Sequence, residues 1–162
     1  MKNHEINIRY KEFSYGELDS VDKKLLDSAV EAAKNAYAPY SHFRVGAAVL
    51  LDDGSIITGN NQENAAYPSG LCAERVALFY ANSKYPQKTV VAVAIVAVNP
   101  EGEVLKGNVS PCGSCRQVML ETQTRYKNLI KIMLASDDAV LVFDSVEDLL
   151  PLNFSQDSLK GN

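Results

Sequence analysis

Thr89-Val90-Val91-Ala92-Val93-Ala94-Ile95-Val96-Ala97-Val98 decides the architecture, because every position from Val90 to Val98 is apolar. A strand with one face in water alternates apolar and polar residues, whereas an unbroken apolar run predicts an interior strand covered on both faces. The run is also far too short to cross a bilayer as a helix.

Working outward, helical patterns flank the run on both sides. A helix is expected from about Ala73 to Ser83, with Pro86 closing the connection to the strand. After the strand, Asn99 to Ser110 reads as a glycine-containing loop, and a second helix starts near Cys112 or Gly113 and runs to about Tyr126. Shorter strands follow near Ile130 to Leu134 and Ala139 to Phe143, and Ser145 with Asp148 forms a variant capping box for a short helix before Pro151. Upstream, Arg44 to Leu51 and Ser55 to Asn60 form a hairpin around the turn Asp52-Asp53-Gly54. A helix from about Val21 to Tyr37 carries Leu25, Leu26, Ala29, Val30 and Ala33 at helical spacing, with Asp19 or Ser20 as cap and Pro39 as terminator. At the start of the chain, Ile6, Ile8 and Tyr10 alternate with polar residues and suggest a short half-buried strand or arm. The pattern predicts one α/β domain, a three-layer α/β/α sandwich around a mixed central sheet of about five strands.

Composition narrows the function. A chain of 162 residues with 46% hydrophobic content has enough apolar material for one core. The net charge of −4 gives no global attraction to phosphate backbones or anionic lipid, so neither nucleic acid nor membrane is an expected partner. No signal-peptide core precedes Tyr15, and three cysteines in such a chain read as ligands or free thiols, which places the protein in the cytoplasm.

All three cysteines fall in two short motifs, Cys72-Ala73-Glu74-Arg75 and Pro111-Cys112-Gly113-Ser114-Cys115. Three thiolates fill three corners of a tetrahedron and leave the fourth for water, the arrangement of a catalytic rather than a closed structural zinc. A structural zinc knuckle needs a fourth protein ligand. The two histidines offer poor ones, His4 in the N-terminal arm and His42 in the loop before the hairpin. Three thiolates at −3 and zinc at +2 sum to −1, which should resist making bound water more negative. Helix N-termini at Cys72 and Cys112 offset part of that charge. Arg75 can donate to the cysteine sulfurs and offset more. With the charge spread in this way a zinc-bound hydroxide is accessible near neutral pH, and Glu74 is the natural proton carrier.

These motifs resemble the zinc-dependent nucleoside and nucleobase deaminase superfamily, whose general mechanism pairs an activated water with a glutamate. Within it, Tyr37-Ala38-Pro39-Tyr40-Ser41-x-Phe43-x-Val45-Gly46-Ala47-Ala48, Asn61-x-Glu63-Asn64-Ala65-Ala66-Tyr67 and Cys72-Ala73-Glu74-Arg75 are similar to the homotetrameric cytidine deaminases that act on free nucleosides. The resemblance spans about Val21 to Phe154. It leaves residues 1–20 as an N-terminal arm and makes residues 21–162 a single deaminase domain. It implies one zinc per chain and hydrolysis of cytidine or deoxycytidine in pyrimidine salvage. It also implies that Phe43 stacks on the base, that Asn61 and Glu63 hold a ribose hydroxyl, and that the backbone amide of Ala73 binds the base carbonyl. Phe154 resembles the aromatic that closes a neighbouring subunit's site, and Tyr67 is expected to reach across an interface.

Three other functions compete. A deaminase of another cytosine-bearing small molecule such as blasticidin S should lack the Asn-x-Glu grip that this chain keeps. Nucleic-acid editing deaminases resemble His-x-Glu at the first half-site, and no basic and aromatic channel stands out here. A non-catalytic zinc module is opposed by Glu74 and by the missing fourth ligand.

Overall fold

The apolar run forms the long strand near the middle of a mixed six-stranded sheet in a computed structural model that describes residues 1–160. The strands are β1 (Lys11–Phe13), β2 (Arg44–Leu51), β3 (Ile56–Asn60), β4 (Val90–Val98), β5 (Lys131–Ala135) and β6 (Val140–Phe143). Their order is β1-β6-β5-β4-β2-β3. β4 and β5 run parallel, and the other neighbouring pairs are antiparallel. Helix α1 (Ser20–Lys34) packs on one face, with Leu25, Leu26, Ala29 and Ala33 against Ala92, Ala94, Val96 and Val98 of β4. Helices α2 (Ala73–Lys84) and α3 (Gly113–Tyr126) cover the other face, where Ala77, Leu78, Met119 and Leu120 meet Val93 and Ile95. This is the expected three-layer sandwich, and β4 is buried along nearly its whole length as its composition requires.

The sheet holds six strands rather than about five, because Lys11, Glu12 and Phe13 pair antiparallel with Val142, Leu141 and Val140. The sequence alternation at Ile6, Ile8 and Tyr10 instead lies in exposed chain outside any strand. Pairing begins where anchors exist: Lys11 forms an ion pair with Asp144 at 3.0 Å, Tyr10 packs on Phe143 with ring centroids 5.4 Å apart, and Phe13 joins the core on the α1 side. Helix α1 starts as expected, with the Asp19 carboxylate accepting from the N–H groups of Val21 and Asp22. It stops at Lys34, short of Tyr37, because the Tyr37 N–H turns outward to the Asn61 carbonyl at 3.0 Å and Asn60 Nδ2 takes the Ala32 carbonyl at 3.0 Å. A four-residue helix, α4 (Gln156–Leu159), closes the described chain. No helix among the described residues is long and apolar enough to cross a membrane.

Two glycines set how closely the helices approach. A methyl group at Gly46 would lie 2.0 Å from the Ala29 carbonyl oxygen of α1. One at Gly59 would lie 2.5 Å from the Ala77 nitrogen and 2.7 Å from the Ala73 carbonyl oxygen, in the first turns of α2. The start of α2 therefore rests directly on the β3 backbone. We predict that Gly59→Ala displaces this turn and lowers stability by about 1–3 kcal/mol, the usual cost of overpacking a close contact. Urea denaturation checks it, and an unchanged midpoint contradicts the contact.

Candidate active site

The two cysteine motifs lie 40 residues apart and meet because α2 and α3 pack side by side with their N-termini at the same end of the sheet. Cys72 is the N-cap residue of α2 and Cys112 that of α3, while Cys115 sits buried in the first turn of α3. Cys72 Sγ lies 3.9 Å from Cys112 Sγ, Cys112 Sγ lies 3.4 Å from Cys115 Sγ, and all three sulfurs fall within 4.8 Å of one another. Zinc–sulfur bonds of about 2.3 Å at tetrahedral angles place sulfurs about 3.8 Å apart, so the cluster fits a zinc ion with little movement. Among the described residues no histidine or carboxylate joins the group. His42 is an exposed loop residue with left-handed backbone (φ 57°). A structural zinc site would require a fourth protein ligand, and none stands there.

The electrostatics favour a bound cation. The nearby Cys115 thiol, together with Arg75 and Cys112, holds Cys72 down at about 5 against the effect of burial. Cys115 shifts the opposite way, raised by the neighbouring Cys72, by burial and by the Glu74 charge. The two shifts are coupled and belong to the cluster rather than to either sulfur alone. Arg75 Nη2 lies 3.9 Å from Cys72 Sγ. Glu74 is only 4% exposed, and burial raises its pKa, with the Cys72 charge adding to the rise. A buried carboxylic acid of this kind exchanges its proton closer to neutrality than a surface glutamate does.

A cleft of about 1130 Å³ opens above these residues. Its lining brings together Phe43, Asn61, Glu63, Tyr67, Ala73 and Glu74 beside Cys72 and Cys112. The segment 61–63 forms a rail along one wall: Glu63 N–H donates to the Tyr37 carbonyl at 2.8 Å, and Gln62 exchanges both backbone bonds with Leu71 at 2.9 Å. The side chains of the rail fix the loop opposite. Asn61 Oδ1 accepts from Val45 N–H at 2.7 Å, and its Nδ2 donates to the Phe43 carbonyl at 2.9 Å. The Glu63 carboxylate accepts from the Tyr40 N–H at 2.9 Å, from the Ser41 N–H at 3.3 Å and from the Ser41 hydroxyl. Those donors, led by the Ser41 hydroxyl, lower the Glu63 pKa. The Ser41 hydroxyl also accepts from the Phe43 N–H at 3.0 Å.

The site residues named from the sequence thus divide into groups. Cys72, Cys112, Cys115, Glu74 and Arg75 converge at the helix ends, while Phe43, Asn61 and Glu63 line the cleft in front of them. Tyr67 stands on the rim and is 92% exposed. Phe154 is exposed and lies outside the lining of its own chain's cleft, with its carbonyl held by Gln117 Nε2 at 2.8 Å. Ser41 stands inside the quoted motif without a role assigned from sequence, although a hydroxyl is a natural partner for a nearby carboxylate. Arg116, which binds two distant carbonyls, gave no local signal at all.

The description of one protein-family model, the cytidine and deoxycytidylate deaminase zinc-binding region, matches residues 19–130. A cytidine deaminase of Halalkalibacterium halodurans is 52% identical over 97 residues, covering 60% of this chain and 68% of that protein. One from Sporosarcina psychrophila is 39% identical over 137 residues, covering 85% and 93%. The crystal structure of cytidine deaminase from Burkholderia pseudomallei superimposes with a TM-score of 0.68 at 39% identity, covering 81% of this chain and 97% of that one. A match over more than half of the chain, spanning both cysteine motifs that the fold unites, makes this protein a member of the cytidine and deoxycytidylate deaminase zinc-binding family.

Proposed function

We propose that the protein hydrolyses cytidine and deoxycytidine to uridine and deoxyuridine with release of ammonia, serving pyrimidine salvage in the cytoplasm, a compartment in which free thiols stay reduced. The observation that carries this reading is a three-sulfur metal site, open at its fourth position, with the buried Glu74 beside it at the floor of a cleft lined by Phe43, Asn61 and Glu63. The names of the relatives agree with it.

Cys72, Cys112 and Cys115 would hold one zinc per chain. The ion supplies a Lewis acid that makes water nucleophilic near neutral pH. Glu74 takes a proton from the attacking water, delivers it to the ring nitrogen of cytosine, and then carries one to the amine leaving carbon 4. The low exposure of Glu74 keeps bulk water from competing for that proton. Phe43 offers its ring face to the pyrimidine. The N–H groups of the first helical turn have no intrahelical partner, so the Ala73 amide is available to the base carbonyl. Asn61 has one Nδ2 proton beyond the bond to Phe43, and Glu63 has one acceptor site beyond the three already used. One donor and one acceptor are what a single ribose hydroxyl needs. Arg75 offsets thiolate charge and does not touch substrate. Residues 21–162 act as one deaminase domain, with residues 1–20 as an arm, and four copies assemble so that Phe154 and Tyr67 complete neighbouring sites.

Zinc-loaded protein should release ammonia from cytidine and deoxycytidine, and far more slowly from cytosine and blasticidin S, in a steady-state assay. Glu74→Gln keeps the shape of the side chain and should retain zinc, while turnover falls by roughly 10²- to 10⁴-fold. Near wild-type deamination by Glu74→Gln would mean that another group moves the proton.

Metal analysis of the purified protein should find close to one zinc per chain. Arg75→Gln should weaken zinc retention or turnover by roughly 10- to 100-fold. Unchanged metal content and kinetics would make Arg75 an ordinary surface charge.

Sedimentation should show a tetramer, with Phe154→Ala raising KM because an exposed aromatic of one copy closes the cleft of another. A fully active monomer at assay concentration refutes shared sites.

A further inference from the structure

Given that Cys72, Cys112 and Cys115 are the zinc ligands, we propose that Arg116 is a positioning residue that holds Cys112 in place by tying the peptide before it to the C-terminal part of the fold. Cys112 is the ligand that most needs such a hold. It is exposed, and it ends the long connection that leaves β4 at Val98. One tether upstream is Asn108, whose Nδ2 donates to the Leu134 and Ala139 carbonyls at 2.7 and 3.2 Å. Between Asn108 and the ligand stands Pro111, which is buried and has no N–H, so its carbonyl is the only backbone group through which hydrogen bonding can fix it.

Arg116 takes that carbonyl. Its Nε donates to the Pro111 oxygen at 2.8 Å, and its Nη1 donates to the Leu149 oxygen at 2.8 Å. Leu149 ends the short helical turn Val146–Leu149, which is fixed in its own right: Gln123 accepts from the Val146 N–H at 3.2 Å and donates to Ser145 Oγ at 3.1 Å. The planar guanidinium, held at two points, therefore locks the peptide leading into Cys112 to a buried frame built by β6 and α3. Its own backbone N–H closes the first turn of α3 on the Cys112 carbonyl at 3.0 Å, so the ligand is gripped from both sides. Lysine cannot replace this contact, because a single ammonium does not present two donors in a fixed plane. Gln117, the next residue, holds the Phe154 carbonyl instead, which separates anchoring of the metal from anchoring of the tail.

The test is zinc release from purified holoenzyme to the chromophoric chelator 4-(2-pyridylazo)resorcinol, with cobalt(II)-substituted spectra as a second readout. Wild-type protein that holds no zinc through these cysteines would refute the metal site itself. If wild type holds zinc, Arg116→Gln and Arg116→Lys should both release it roughly 10- to 100-fold faster. Both should also alter the sulfur-to-cobalt charge-transfer bands, while Gln117→Ala releases zinc at the wild-type rate. Release at the wild-type rate from both Arg116 variants overturns the proposal, and so does full rescue by Arg116→Lys, which would leave only a charge effect. Equally fast release from Gln117→Ala overturns it, as does failure of both Arg116 variants to fold with zinc in excess, since Arg116 would then hold the fold rather than the ligand.

Discussion

Bringing three cysteine sulfurs within 4.8 Å of one another is the constraint on which the rest of the molecule depends. Two unit charges about 4 Å apart repel by about 4 kcal/mol at the effective dielectric of a protein near its surface. Three thiolates are therefore stable only beside compensating charge. The chain supplies it by setting Cys72 and Cys112 at helix N-termini and Arg75 Nη2 3.9 Å from Cys72. What remains suits a divalent cation, and the same negative field adds to the burial that raises the pKa of Glu74.

Such a cluster can form only if two helices from distant parts of the chain end at one place. The sheet ensures this through small residues. Gly59 lets the first turns of α2 rest on the β3 backbone, and Gly46 with Ala92 and Ala94 brings α1 equally close on the opposite face. With its first turns seated on the β3 backbone, α2 has little freedom to slide, and Cys72 at its N-cap inherits that position.

The cleft wall shows groups serving two purposes at once. Asn61 and Glu63 hold the loop from Tyr40 to Val45 by five hydrogen bonds, and through that loop they set the position of Phe43. Each keeps one hydrogen-bonding site beyond these bonds. The Glu63 carboxylate and the Phe43 backbone are thus coupled mechanically, with the Ser41 hydroxyl as their shared link.

The sequence by itself determined the layers and the chemistry. A short, valine-rich apolar run between two helical patterns reads as an interior strand, and helix and hairpin signals around it are local, so β2, β4, α2 and α3 lie close to where periodicity puts them. Cysteine is rare and its ligand chemistry is specific, so Cys72, Cys112 and Cys115 announce a metal without any coordinates, and Glu74 follows from its place beside one of them. Only the tertiary structure decided the sixth strand, whose edge pairing depends on Asp144 and Phe143 more than 130 residues away rather than on its own alternation. The end of α1 was decided the same way, by Asn60 and Asn61 reaching across from another element. Arg116 is the clearest case. An arginine on a helix has no sequence signature for binding two carbonyls, because its partners, Pro111 and Leu149, become neighbours only after the chain has folded.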